Sequence, residues 1–405
     1  MKTVAIISEY NPFHTGHQYQ IQKIRESFGE DTRIIAIMSG NYTQRGDVAI
    51  ADKSTRARCA VDGGVNLVLE LPFPYSISSA EFFARSGVHI ANSLGVVDYL
   101  SFGSECGNID ELVTVAENML TDRFRAALLD VTTNQANRGL GYPKACEIAY
   151  SMAFSVNAVP DLSAPNNILA LEYIKALKSS DSTILPHTVE RLGAGFSEKN
   201  ILSFKHQSAT AIRELMKHDL ISALQYLPES TKNTILSAYN SGELPCDAEK
   251  LSGAIISFLR LNLPSAISDI HDAGGGLYNR LHSASFEANG ISNLIELADT
   301  KKYTTARIRR AIWYSFLGVT SSEIHTLPLY TQALAMDSVG KSILKDVKKM
   351  SSFPVITKPA AYEFLSDEAK LQKERCERAD SVFQLTKPTH VSGSISLKST
   401  PYIKN

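Results

Sequence analysis

Only five cysteines occur in 405 residues, at Cys59, Cys106, Cys146, Cys246 and Cys376. No two lie close enough in sequence for a zinc knuckle or a redox pair, and an odd, widely spaced set makes no disulfide framework. They read as reduced, structural thiols. An excess of charge of either sign is also missing. The 41 Lys and Arg against 42 Asp and Glu leave a net charge of −1. RNA binding would therefore need a local patch, and nothing points to DNA. No uninterrupted apolar stretch is long enough to span a bilayer. Val4-Ala5-Ile6-Ile7 is too short for a signal peptide's apolar region, so no membrane is expected and the cytoplasm is the default location. No internal repeat or low-complexity block stands out.

What is present is an ordinary globular composition, 44% hydrophobic and 20% charged. A single core rarely grows beyond about 250–300 residues, so two or three domains are expected. Apolar runs at Val4–Ile7, Ile34–Met38, Leu67–Leu71, Tyr99–Phe102 and Ser182–Val189 read as strands. Between them, His17–Phe28, Lys53–Asp62 and Ala80–Leu94 read as helices. Two or three more fill Ile109–Lys178, and Ser208–Lys217 opens another. This β-α-β-α order predicts an α/β fold, a Rossmann-like doubly wound parallel sheet. From about Leu220 the strand signals stop. The rest reads as an α-helical C-terminal region ending in a loose tail from about Ser392. The expected divisions are 1–218, 219–345 and 346–405.

In such sheets ligands sit at the carboxyl ends of strands. Ser8–His17, Ser39-Gly40-Asn41, Gly103-Ser104-Glu105 and Arg191 each follow a strand. His14-Thr15-Gly16-His17 lies between a strand and a helix. There Gly16 would allow close approach, the helix start would offer free N–H groups, and two imidazoles would donate to phosphate oxygens. The plain alternative is a tight turn with two incidental histidines, and the setting favours the phosphate site. Ser208-Ala209-Thr210-Ala211-Ile212-Arg213 adds hydroxyls at a helix start and a guanidinium one and a half turns on. Alone it would be simple capping.

Lys301–Arg310 holds five Lys or Arg in ten residues, none acidic, with Tyr303 among them. Phosphate contacts plus a stacking aromatic suit an unpaired RNA loop, and a solvated helix face explains the run equally well. Arg45, Lys53, Arg56 and Arg58 carry the same two readings. Glu70 and Glu105 suit capping or ion pairing better than magnesium. Lone His89, His187 and His206 have no assigned role. Gly274–Gly276 reads as a turn, since no strand precedes it.

Glu9–His17 and Ser208–Arg213 together resemble the HIGH-superfamily nucleotidyltransferases. Met38-Ser39-Gly40-Asn41-Tyr42, Gln44-Arg45-Gly46-Asp47, Glu70-Leu71-Pro72, Phe102-Gly103-Ser104-Glu105, Pro165-Asn166-Asn167-Ile168-Leu169 and Lys301–Arg310 extend the match. The fuller set resembles the bacterial tRNA(Met) cytidine acetate ligase family over roughly residues 1–345, densest in the first 110. Thr15 fills the variable position of the loop, while Asn66 and Ser54 stand where Asp and Trp are expected.

The resemblance implies a nucleotidyltransferase-type sheet and an enzyme that activates acetate with ATP and acetylates N4 of the wobble cytidine of elongator tRNA(Met). It implies His14 and His17 as catalytic. ATP contacts would come from Ile7, Ser8, Glu9, Tyr10, Asn11, Pro12, Phe13, His14, Thr15, Gly16, His17, Gln18, Tyr19 and Gln20. Ser39, Gly40, Gly103, Asn167, Arg191, Leu192, Ser208 and Thr210 would complete the site. Magnesium would be carried by ATP, with no protein metal site. Lys301, Lys302, Tyr303, Arg307, Arg309 and Arg310 would meet tRNA. A small-molecule adenylyltransferase, and an RNA-binding protein with a non-catalytic nucleotide pocket, remain open.

Overall fold

The computed structural model describes residues 1–134, 141–155, 161–162, 164–191, 208–267, 269–389 and 400–404. Leu192 and His206 lie outside the described residues, as does most of the tail from Ser392.

Ten strands are described: β1 Thr3–Ser8, β2 Arg33–Ser39, β3 Tyr42–Thr43, β4 Asp47–Val48, β5 Leu67–Leu71, β6 Tyr99–Ser104, β7 Leu185–Glu190, β8 Thr331–Met336, β9 Val355–Ile356 and β10 Tyr402–Ile403. The main sheet runs β10-β8-β5-β2-β1-β6-β7, with β9 also on β8, and β3-β4 forms a separate hairpin. From β5 to β7 every pairing is parallel. The doubly wound parallel sheet expected from the sequence is therefore present, and its order reverses at β1.

The apolar run of β1 is continuous because both faces are covered. Val4 and Ile6 pack with Ile21 and Ile24 of the helix Thr15–Phe28. Ala5 and Ile7 pack on the opposite face with Phe83 and Val88 of the helix Ala80–Ser93. Alternate side chains of a strand point to opposite faces, so a strand sandwiched by helices needs apolar residues at every position.

Three expectations are corrected. Four helices, not two or three, fill the segment after β6: Ile109–Met119, Asp122–Thr133, Tyr142–Phe154 and Pro165–Ser179. Strands do not stop at Leu220, because β8 pairs antiparallel with β5, Leu67 opposite Met336. Its sequence, Thr-Gln-Ala-Leu-Ala-Met, is rich in helix formers, but an open edge beside β5 outweighs that weak preference. The end of the tail is ordered as well. β10 pairs with β8, and the Lys404 N–H donates to the Met336 carbonyl at 2.9 Å. Among the described residues no helix is long and apolar enough to cross a membrane.

Candidate functional site

A cavity of about 330 Å³ opens at the carboxyl ends of β1 and β6, where the strand order reverses. That is the place a doubly wound sheet offers a ligand. Of the residues expected there, Ile7, Ser8, Glu9, Tyr10, Asn11, His14, His17, Gln20, Gly103, Arg191, Ser208 and Thr210 line it. Arg213, Arg45, Gln44 and Asn166 line it too. Phe83, Phe102, Leu169 and Tyr173 give it apolar surface. The same lining carries two imidazoles and three guanidinium groups against the single carboxylate of Glu9.

His14 is the N-cap of the helix Thr15–Phe28. Its Nδ1 accepts the Gly16 N–H at 3.0 Å, and the His17 Nδ1 accepts the His14 N–H at 3.2 Å. A ring nitrogen that accepts from an amide carries no proton, so each ring, when neutral, holds its proton on Nε2. The ring centroids are 3.9 Å apart. Burial first, and then the neighbouring His14 and Arg191, hold His17 well below its ordinary pKa. His17 is thus a neutral donor at physiological pH.

This changes what the turn offers. The sequence reading expected free N–H groups and a Gly16 that lets phosphate approach. The Thr15 N–H is spent on the Tyr226 carbonyl at 3.1 Å, and that of Gly16 on His14. A Cβ at residue 16 would lie 2.8 Å from His14 Cε1, so the glycine makes room for the capping ring. What the turn presents to the cavity is the His14 and His17 side chains, at the positive end of the helix dipole. Thr15, Gly16, Pro12, Phe13, Gln18 and Tyr19 do not line the cavity.

Across the cavity, Ser208 caps the helix Ala209–His218 by accepting the Ala211 N–H at 3.2 Å. Arg213 donates to the Asn11 carbonyl at 2.9 Å and to Thr210 Oγ1 at 3.0 Å, tying the second phosphate-type segment to the first. Arg191 donates to Asn166 Oδ1 at 2.9 Å. Burial pulls the pKa of both guanidiniums below the usual value.

Asn167 does not line the cavity. It is 1% exposed, and its Oδ1 accepts the Glu105 and Cys106 N–H groups while its amide donates to Asp161. The residue facing the cavity is Asn166, one position earlier, which the sequence reading did not assign. Glu105 caps the helix Pro165–Ser179, accepting the Asn166 and Asn167 N–H groups at 3.2 and 2.7 Å. Ser39 and Gly40 do not line the cavity either. They are buried behind the wall, and their carbonyls accept from Arg56, which also holds the Glu9 and Ala51 carbonyls. Burial brings the Arg56 guanidinium down to about 10, still charged at neutral pH.

Lys53 is buried as well, 2.6 Å from both Glu70 and Asp380. Glu70, Cys376 and Asp380 stand close enough for a metal, but the Lys53 ammonium already fills that space. Neither Lys53 nor Arg56 lies on a solvated face. Arg58 does, beside Asp62 and over the Tyr402 ring.

The basic stretch Lys301–Arg310 is largely committed inside the protein. Tyr303 is 7% exposed and donates to the Gly275 carbonyl at 2.6 Å, so it is not a free stacking platform. Arg310 is buried against Asp272 at 2.6 Å. Arg307 and Lys302 donate to carbonyls of the Asp272–Gly275 turn. Lys301 is exposed, and Arg309 reaches Asp47.

Comparison with known proteins agrees with this geometry. The family model described as HIGH Nucleotidyl Transferase matches residues 1–395. The chain is 36% identical over 381 residues to the tRNA(Met) cytidine acetate ligase of Thermoanaerobacter sp. (strain X514), covering 92% of this chain and 93% of that one. The tRNA(Met) cytidine acetate ligase of Clostridium novyi (strain NT) is 36% identical, with 88% and 90% covered. The chain belongs to the tRNA(Met) cytidine acetate ligase family. A crystal structure of Thermotoga maritima TmcAL bound with alpha-thio ATP superposes with a TM-score of 0.90 at 29% identity, over 100% of this chain and 99% of that one.

Proposed function

We propose that this chain is an ATP-dependent ligase that converts acetate to acetyl-adenylate and transfers the acetyl group to N4 of the wobble cytidine of elongator tRNA(Met). The carrying observation is that the imidazoles of His14 and His17 and the guanidinium groups of Arg191 and Arg213 converge on one cavity at the β1/β6 reversal. The apolar surface of Phe102 and Tyr173 suits a flat purine, and the basic groups suit a triphosphate.

Acetate's carboxylate oxygen attacks the α-phosphorus, and the bond to the β-phosphate oxygen breaks, releasing pyrophosphate. No protein nucleophile is needed, so the residues act by orientation and charge stabilisation. The Nε2–H groups of His14 and His17 donate to phosphate oxygens as charge builds. In the second step the cytosine amine attacks the acetyl carbonyl. A C–N bond forms, the C–O bond to AMP breaks, and the amine's proton passes to the departing phosphate.

Magnesium would arrive with the ATP substrate. Glu105 has both oxygens on the Asn166 and Asn167 N–H groups, and Glu9 has one on that of Gln44. Incubation with ATP, labelled acetate and elongator tRNA(Met) should yield N4-acetylcytidine on nucleoside analysis, with AMP and pyrophosphate. AMP transfer to a small molecule without tRNA, or tight tRNA binding without ATP turnover, would overturn the reading.

A further inference from the structure

A second cavity, of about 420 Å³, adjoins the first. The two share Thr210 and Arg213. The hairpin β3-β4 divides them, with Gln44 and Arg45 facing the first and Gly46, Asp47 and Val48 the second. Gly46 holds that divider in place. Its φ is +82°, and a Cβ there would lie 2.7 Å from both Arg309 Cβ and the Arg310 nitrogen. Only a glycine lets the hairpin sit this tightly against the helix Thr305–Leu317.

The lining of the second cavity is sorted by chemistry. Val48, Ile295, Ile312 and Trp313 give apolar surface. Lys217, Arg309 and Arg213 are cationic, and Asp47 and Glu214 are carboxylates beside them. The Asp47–Arg309 and Glu214–Lys217 pairs are long, 3.4 and 3.5 Å, so these groups are loosely paired. Glu249 is different, because both its oxygens cap the helix Ile291–Ala298.

We propose that this second cavity receives the acceptor nucleotide, an unpaired pyrimidine of single-stranded RNA bearing an exocyclic amine. The proposal rests on the ligase reading above. A bi-substrate transfer needs the amine to reach a carbonyl attached at the α-phosphate without displacing the nucleotide. A second cavity meeting the first at Arg213 and Thr210, groups whose chemistry suits phosphate, satisfies that requirement. Apolar walls take the ring faces, Lys217 and Arg309 take backbone phosphates, and a carboxylate accepts from the amine. A carboxylate acceptor also separates cytosine from uracil, whose carbonyl at that position would face it with no proton to give.

The direct test uses tRNA carrying 5-iodocytidine at the acceptor position, irradiated in the complex. An adduct mapped to a residue that lines the cavity is expected, and adducts confined to residues outside it would overturn the proposal. The second test is Ser292→Trp, a substitution at an exposed helix position on the cavity wall. Its tRNA acetylation should fall by more than tenfold relative to its tRNA-free, acetate-dependent pyrophosphate exchange. An unchanged ratio would overturn the cavity assignment and leave the ligase reading intact. Absence of that exchange in the unsubstituted chain would overturn the ligase reading, and the cross-link would still decide the cavity.

Discussion

Two polar clusters sit at the carboxyl edge of the same sheet, and they spend their hydrogen bonds in opposite ways. At β2 and β5, Lys53 lies between Glu70 and Asp380, while Asn41 donates to Asp380 at 2.8 Å and accepts the Lys53 N–H. Asp380 belongs to the helix Asp367–Phe383, so this cluster fastens the C-terminal helix to the sheet. At β1 and β6, His14 and His17 use one nitrogen each to build the turn, and both side chains line a cavity. A strand-end position therefore does not by itself mark a site. What marks it is polar side chains that reach a cavity rather than a counter-charge.

Breaking the closed cluster should give the largest effect. Burial alone would lower the Lys53 pKa, but the Asp380 and Glu70 carboxylates hold it well above its ordinary value. Lys53→Met removes the ammonium held between two buried carboxylates, a loss of about 3–5 kcal/mol. Urea unfolding should report it. A loss below 1 kcal/mol would mean that water reaches the cluster and the fastening is weak. The open cluster should behave in the converse manner. His17→Ala should lower kcat for acetate-dependent pyrophosphate release by about 10²–10³-fold, since one oxyanion donor is typically worth that much. Its stability should fall by only about 1 kcal/mol, the cost of a lost cap. A purely structural histidine would reverse those two sizes.

The closed and open edges were unequally legible in the sequence. The parallel order and the His14-Thr15-Gly16-His17 turn were readable because continuous apolar runs and a strand-turn-helix junction are local signals. Depth was not. Ser39 and Gly40 do follow a strand, but only the fold reveals that Arg56 reaches back to cover them. Asn166 and Asn167 are adjacent at one helix start, and the direction each side chain takes depends on Glu105, far away in sequence. Tyr303 sits in a run of cations, so it reads as exposed, yet the turn at Gly275 takes its hydroxyl. β8 failed because tertiary context overrode its composition.

The pH response should sharpen the contrast further. His17 is held below its ordinary 6.5 in the folded chain by burial and by the nearby His14 and Arg191. Below pH 6.5 the unfolded chain takes up a proton that the folded chain refuses. The stability contributed by the neutral ring is thus full above 6.5 and is lost as pH falls toward the folded value. The slope from one group is at most about 1.4 kcal/mol per pH unit. Wild type should lose more stability than His17→Gln between pH 7.5 and 5.5 in urea titrations. Equal losses would place the pH response at His89, His187 or His271, whose pKa values are also lowered, chiefly by burial.

The smallest effect is expected at the far edge, where β10 closes the sheet with two residues. Arg58 lies over the Tyr402 ring, 4.8 Å from its centroid, and the strand is held mainly by backbone pairing to β8. Tyr402→Ala removes that contact and part of the packing on the core of β1, at a cost of about 1 kcal/mol, and leaves the backbone pairs in place. Neither cavity touches Tyr402, so pyrophosphate release and tRNA acetylation should stay within twofold of wild type. A loss of 3 kcal/mol or more would make this edge as decisive as the Lys53 cluster. In that case the fastening of the C-terminal segment would be shared between Asp380 and the last strand.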